Sequence, residues 1–337
     1  MIDAAESATD RPRGPAIVVA GASAGGVEAL VRLIGTFPPD FPYPVLVVLH
    51  VSPTGTSVLP AILDRAGPLQ ASAPADGDRL RRGHVYVAPP DVHLVVEGSR
   101  VHLSQAPREN GHRPAIDPTM RSAAHAYAGS TIGIVLSGSR DDGTAGLIAI
   151  KNHGGIAIVQ DPDEALYDAM PRSALDHVDV DAVLPIADMV PWILEDARVR
   201  AAESDPPMTV RDPDEHGVPS ASGEGTRFTC PDCGGVLFER QEGALERFQC
   251  SVGHVFSIES LSSAQAEALE GALWAAVRSL EDRTVLLSRM AERARRSDDL
   301  RRARDYDRQG DDALERARTI RQAIENVSAE RALAVES

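Results

Sequence analysis

The sequence predicts an α/β fold: a doubly wound, mostly parallel sheet, followed by a small cysteine-bearing module and a helical hairpin. Three observations lead there. Short β-branched, apolar runs recur at Ile17–Val19, Pro44–His50, Thr131–Leu136 and Gly155–Gln160, as in strands buried on both faces. Segments of helical spacing alternate with them, which is the pattern of parallel βαβ units. From Ser262 onward the chain carries little Gly or Pro and repeats apolar residues at intervals of three and four.

Taken in order, Ile17–Val19 leads into the glycine turn Gly21–Gly26 and then a helix whose apolar face is Val27, Leu30, Val31 and Ile34. The strand Pro44–His50 precedes a helix over Thr56–Ala66 buried through Leu59, Ile62 and Leu63. His84–Ala88 is a third strand, and Val92–Val96 with Arg100–Ser104 flank Gly98 and Ser99 as an antiparallel hairpin. Pro118–Ala128 is helical with Asp117 as its N-cap. Thr131–Leu136 runs through Ser137–Gly143 into a helix ending at Asn152, and Gly155–Gln160 is followed by a turn at Asp161–Asp163. Helices at Asp163–Tyr167, Pro171–Leu175 and Ile186–Ala197 close the domain. Ser204–Arg227, rich in Pro, Gly, Ser and acid, is a linker. Beyond the cysteines, two helices break near Arg296–Asp299 and either fold back on each other or pair with a second copy. Their seams are Leu273, Val277, Leu280, Thr284 and Leu287, then Ala303, Tyr306, Gly310, Ala313, Ala317, Ile320, Ile324 and Val327. The expected boundaries are a lead-in at 1–14, the α/β domain at 15–200, a linker at 201–227, the cysteine module at 228–258 and the helices at 259–330.

Composition excludes several classes. A net charge of −16 repels nucleic acid and anionic membranes in bulk. No apolar stretch approaches a membrane span, and the first residues lack the apolar core of a secretory signal. All three cysteines sit in one short segment, which favours a metal site and a reducing, cytoplasmic setting over a disulfide framework.

The chemistry centres on Ser23. A Gly-x-Ser-x-Gly turn between strand and helix holds its serine exposed at the carboxyl edge of a sheet, where helix N–H groups suit an oxyanion. A serine hydroxyl needs a base, a group that orients the base, and oxyanion donors. In an open sheet these partners belong just past strand carboxyl ends. Of ten histidines, only His50 ends a buried parallel-type strand. His84 opens its strand, His93 and His102 lie in the hairpin, and His125 and His153 belong to helices. Asp141 and Asp142 follow the strand Thr131–Leu136, where either could serve or merely cap the next helix. The order Ser, His, Asp differs from that of α/β-hydrolases.

The ordered motifs GASAGG at Gly21–Gly26, HVSP at His50–Pro53, GHVYVAP at Gly83–Pro89, HRPAID at His112–Asp117, LSGSRDDG at Leu136–Gly143 and AMP at Ala169–Pro171 resemble the catalytic domain of the chemotaxis protein-glutamate methylesterases (CheB). The resemblance covers roughly Ala16–Leu194. It implies Ser23 as nucleophile, His50 as general base and then acid, and Asp142 as the orienting acid. The N–H groups of Ala24 and Ser139 would be the oxyanion donors. It further implies hydrolysis of γ-glutamyl methyl esters on chemoreceptor-type proteins without a cofactor, with glutamine deamidation beside it. Two departures stand out. The catalytic domain begins within the first residues, so the family's frequent receiver domain is expected to be absent. Ser139-Arg140-Asp141 also replaces small residues in the acid turn.

Cys230 and Cys233 form a two-residue knuckle, and Cys250 with His254 completes four ligands suited to tetrahedral Zn²⁺. With no position spared for water, the site is structural, and the segment resembles the zinc ribbons that follow stand-alone methylesterase-family members. Zinc removal is expected to unfold Phe228–Phe256 and leave the esterase largely intact. Two other functions fit the same residues: a non-enzymatic signalling module on a retained scaffold, and an esterase for small-molecule esters.

Overall fold

The computed structural model describes residues 17–55, 57–202, 225–243 and 245–335. The expected lead-in, the central part of the expected linker (203–224) and Thr56 lie outside them. The chain divides into two compact units, Met1–Leu261 and Ser262–Ser337.

The first unit begins β1 (Ile17–Ala22), α1 (Gly26–Thr36), β2 (Val45–Leu49), α2 (Leu59–Ala66), β3 (Gln70–Ser72), β4 (His84–Val87), then the hairpin β5 (His93–Glu97) and β6 (Arg100–Ser104). It continues α3 (Ile116–Tyr127), β7 (Thr131–Val135), α4 (Thr144–Asn152), β8 (Ile156–Gln160), α5 (Ala169–His177), β9 (Ala182–Leu184) and α6 (Ile186–Ala202). Seven parallel strands form one sheet in the order β3-β4-β2-β1-β7-β8-β9. Every residue of β1, β2, β7 and β8 is buried, because helices cover both faces and no side of these strands meets water. One apolar layer joins the sheet to α1, α2 and α6; the other joins it to α3, α4, α5 and the hairpin. The chain leaves β1 toward β2 on one side and reaches β7 on the other. The carboxyl ends of these three central strands therefore open onto one crevice, where such a sheet places ligands.

Some elements differ from the sequence expectation. Asp163–Tyr167 is a turn, not a helix. Its Asp161 carbonyl accepts from Glu164 and Ala165, while Tyr167 N donates to Ser137 Oγ and Tyr167 O accepts from Gly138 N. Bonds to the β7–α4 loop have replaced those a helix would need. The edge strands β3 and β9 are three residues each, too short to carry a periodic signal. Asp117 does not cap its own helix: Ala115 holds that position, and Asp117 lies buried in the first turn of α3, serving α4 as described below.

The cysteine module is a four-stranded antiparallel sheet of β10 (Gly225–Thr229), β11 (Val236–Glu242), β12 (Leu245–Cys250) and β13 (Val255–Ser257). Strand β10 thus takes the last residues of the expected linker. The module shares the first unit, and Leu245 packs into the α3–α5 layer. Its rings Phe228 and Phe248 meet edge to face at 5.6 Å.

Helices α7 (Ile258–Arg296) and α8 (Leu300–Val335) break where expected. Within the second unit they run antiparallel. Arg321 bonds Glu281, Thr284 Oγ1 donates to Gly310 O, and Arg295 bonds Asp307. Val277, Leu287, Ala303, Ala313, Ala317 and Ile324 are buried along the seam, and Gly310 admits the Leu287 side chain. Among the described residues no helix is long and apolar enough to cross a membrane.

Candidate active site

The turn after β1 is fixed by its neighbours. Ser23 N donates to Ser137 O (3.0 Å), Gly26 N to Ser23 O (2.9 Å), and Ser137 Oγ to Ala24 O (2.8 Å). Gly25 ends the turn at φ 70°, where an added Cβ would also lie 2.8 Å from Ser137 Oγ, so only glycine fits. The first turn of α1 opens directly behind Ser23 with no side-chain cap. Neither Ala24 N–H nor Ser139 N–H has an acceptor among the described residues.

His50 follows β2, which pairs with β1 in the register Ala22↔Leu49, and His50 N donates to Ala22 O at 3.3 Å. This places the imidazole beside the serine. His50 Nδ1 is 3.0 Å from Ser23 Oγ, and His50 Nε2 is 2.6 Å from Asp142 Oδ2. Because the carboxylate can only accept, Nε2 carries the proton and Nδ1 is left to accept from the serine hydroxyl.

Asp142 sits at the β7–α4 turn, 2% exposed. Its Oδ2 also accepts from Ile116 N (2.7 Å), and its Oδ1 from Asn110 Nδ2, Gly143 N and Asp117 N (3.0, 3.0 and 3.2 Å). Burial opposes its charge. The hydrogen bond and charge of His50 and the Ile116 N–H outweigh that and hold the carboxyl well below the usual range. Asp141, next to it, makes no bond to His50; burial raises its carboxyl. Of the two aspartates, Asp142 is the one within hydrogen-bond distance of His50.

Three neighbours were not expected at the site from residue type or spacing. His112 stacks on His50 with ring centroids 3.7 Å apart and planes 9° apart. Burial, with the adjacent His50 charge, lowers His112 to about 3, so it stays neutral at physiological pH. Asn110 bridges Asp142 and Asp117. Asp117 Oδ1 accepts from Gly143 N and Gly146 N (2.9 and 2.8 Å), capping the start of α4 from a different helix. His112 and Asp117 fall inside the HRPAID motif, which was the available signal; Asn110 had none. Arg140 adopts φ 72° in the acid turn, and its charge reaches His112.

In the cysteine module, the ligand atoms of Cys230, Cys233, Cys250 and His254 lie within 4.8 Å of one another. Cys233 Sγ and Cys250 Sγ are 3.6 Å apart, and His254 Nδ1 is 3.7 Å from Cys230 Sγ and 3.4 Å from Cys250 Sγ. Tetrahedral Zn²⁺ with Zn–S of about 2.3 Å sets sulfur–sulfur edges of about 3.8 Å, so the donor set fits the ion. Asp232 stands 3.9 Å from the other ring nitrogen of His254.

The module packs against the residues behind the crevice. Asn110 N donates to Val255 O (2.8 Å) and Val255 N to Arg108 O (3.3 Å). Arg247 of β12 reaches Asp117. The sequence gives no hint of such contacts, which join residues more than a hundred positions apart.

Residues 18–193 match the CheB methylesterase family, just over half of the chain. A relative in Leptospira interrogans named "Putative protein-glutamate methylesterase/protein-glutamine glutaminase" is 36% identical over 170 residues, covering 50% of this chain and 88% of the relative. The Thermotoga maritima "Protein-glutamate methylesterase/protein-glutamine glutaminase" is 36% identical over 173 residues, and the match spans half of each chain. The crystal structure of the Thermotoga maritima CheB methylesterase catalytic domain aligns with a TM-score of 0.52 at 34% identity, covering 54% of this chain and 98% of that one. The cysteine module and the α7–α8 pair lie beyond the residues matched to the family. By the match over residues 18–193, which spans the seven-stranded sheet, the chain belongs to the CheB methylesterase family.

Proposed function

We propose that the chain is a serine hydrolase that cleaves γ-glutamyl methyl esters on chemoreceptor-type or other glutamyl-methylated proteins, and deamidates glutamine at equivalent positions. The observation that carries this reading is the run Ser23 Oγ–His50 Nδ1 (3.0 Å) and His50 Nε2–Asp142 Oδ2 (2.6 Å) at the ends of β1, β2 and β7. Ser23 Oγ attacks the ester carbonyl as His50 Nδ1 takes its proton, and the imidazolium is stabilised by the ionised Asp142. The tetrahedral oxyanion is met by the N–H groups of Ala24 and Ser139. Collapse breaks the carbonyl–methoxy bond, and His50 returns the proton to the leaving oxygen, releasing methanol. Water then gives a proton to His50 as its oxygen attacks the acyl-serine carbonyl, and His50 passes that proton to Ser23 Oγ as the acyl–oxygen bond breaks, freeing the glutamate side chain and restoring Ser23. With glutamine the leaving group is ammonia.

No cofactor is invoked for these steps. The four ligands of the cysteine module would hold Zn²⁺ as a closed structural site, supplying a cross-link and no open coordination position. Cysteines held out of disulfides suit a reducing compartment such as the cytoplasm. The exposed Leu269, Val285, Leu286 and Met290 of α7 offer a surface for self-association or a partner protein.

A serine-directed fluorophosphonate tests the nucleophile. Adduct mass at Ser23 in the wild type and its loss in His50→Ala support the enzyme. An unlabelled wild type would leave the scaffold without catalysis and favour a purely interacting module.

A further inference from the structure

We propose that Arg247, on β12 of the cysteine module, is a positioning residue for the His50–Asp142 pair, acting through Asp117 and Asn110. The inference rests on the serine-hydrolase reading above. Arg247 is 2% exposed, which is unusual for a guanidinium and requires counter-charges. Its Nη2 lies 3.2 Å from Asp117 Oδ2 and 3.5 Å from Glu109 Oε2, and its Nε lies 3.7 Å from Glu242 Oε2.

Asp117, fully buried, is one step from the catalytic acid by two routes. Its Oδ1 takes the N–H groups of Gly143 and Gly146, at the turn that carries Asp142. Its Oδ2 takes Asn110 Nδ2 at 3.1 Å, and the same amide donates to Asp142 Oδ1 at 3.0 Å. Asn110 is itself held from the module and the first turn of α7. Its Oδ1 accepts from Ser257 N and Ser260 Oγ (3.4 and 3.3 Å), and its N–H donates to Val255 O.

Two buried carboxyls this close repel. Burial and the Asp142 charge push Asp117 up, while Arg247 and Arg121 pull it back. The charged groups facing Asp117 are Asp142 from the β7–α4 turn, Glu109 ahead of α3, Arg121 on α3 and Arg247 from the module. Among the described residues every hydrogen-bond partner of Asp117's two oxygens is a donor: two backbone N–H groups, an amide and a guanidinium. Without Arg247, Asp117 Oδ2 loses a guanidinium donor and its counter-charge, and the carboxyl shifts toward its remaining donors. Gly143 and Asn110 are among these, and both also hold Asp142. The acid then loses its fixed orientation toward His50 Nε2. Arg247 is not assigned any contact with substrate, so the effect belongs to the reaction step.

The test uses the full chain and a fluorophosphonate probe, following adduct formation at Ser23 by intact mass. The first-order rate at saturating probe is read separately from the half-saturating concentration. Arg247→Gln should lower the saturating rate by about fivefold or more with an unchanged half-saturation, and Arg247→Lys should recover most of it. A smaller fall, a change confined to half-saturation, or a Lys variant as slow as Gln would overturn the proposal. Circular dichroism reports whether each variant folds. If Arg247→Gln does not fold, Asn110→Ala, at the far end of the same bridge, decides by the same criteria. Absence of wild-type labelling at Ser23 would instead bring down the serine-hydrolase reading, and this inference with it.

Discussion

Replacing Asp142 by asparagine separates the orientation of His50 from the shape of the crevice. The side chain keeps its volume but must place an NH₂ where one carboxylate oxygen stood. At Oδ1 the NH₂ would face three donors, Asn110 Nδ2, Gly143 N and Asp117 N, at 3.0 to 3.2 Å. At Oδ2 it faces a single backbone donor, Ile116 N at 2.7 Å, together with His50 Nε2 at 2.6 Å. The second placement leaves fewer donors opposed. His50 Nε2 must then accept, so its proton moves to Nδ1, the nitrogen that faces Ser23 Oγ at 3.0 Å. The base is blocked although no heavy atom has moved. In serine-protease triads the corresponding exchange lowers kcat by about 10⁴, which here corresponds to roughly 5 kcal/mol of lost transition-state stabilisation. Fluorophosphonate labelling of Ser23 and hydrolysis of p-nitrophenyl acetate, each at pH 7 to 8, measure the loss. Asp142→Asn activity within tenfold of wild type would refute the assigned tautomer and the role of Asp142.

Three further outcomes follow from the geometry. His112 has a folded pKa depressed to about 3, so the stability it contributes is present above its unfolded value near 6.5 and falls as pH drops toward 3. That is roughly 2 kcal/mol between pH 7 and 5. His112→Phe keeps the stack on His50 and should lessen this acid sensitivity in urea melts; an unchanged slope contradicts the burial of a neutral ring. Gly138→Ala would place a Cβ 2.0 Å from Met170 Sδ and 2.9 Å from Ser23 Cβ. Overpacking of about 1–3 kcal/mol should appear in thermal melts, with slower Ser23 labelling, and a variant equal to wild type in both would contradict the close approach. Chelation that strips zinc should unfold the module and also slow Ser23 labelling, because Cys250 ends β12 and His254 directly precedes β13, the strand whose Val255 and Ser257 hold Asn110. Labelling that persists unchanged after complete zinc loss would restore the independence first expected.

The parts of the structure legible in the sequence share one physical origin. Parallel strands buried on both faces are written as unbroken β-branched runs, and their carboxyl ends must share one edge. Residues just beyond β1, β2 and β7 could therefore be grouped before any distance was known. The helix break near Arg296–Asp299 falls between the two apolar seams, Leu273–Leu287 and Ala303–Val327. What escaped was short or long-range. Three-residue edge strands have no period, and the Asp163–Tyr167 turn resembles a helix until its bonds to Ser137 and Gly138 are seen. Asp117 looked like a local cap because such aspartates usually are, yet it serves a helix more than twenty-five positions away. The reach of Arg247 into the crevice depends on how one sheet packs beside another. No local pattern encodes it.

The most direct measurement is methanol release from a methylated chemoreceptor signalling domain, with wild type beside Ser23→Ala. Release by the wild type at a rate set by enzyme concentration, and none above background by Ser23→Ala, is the expected result. Equal release by both, or none by either from substrate shown to carry the ester, would contradict the assignment.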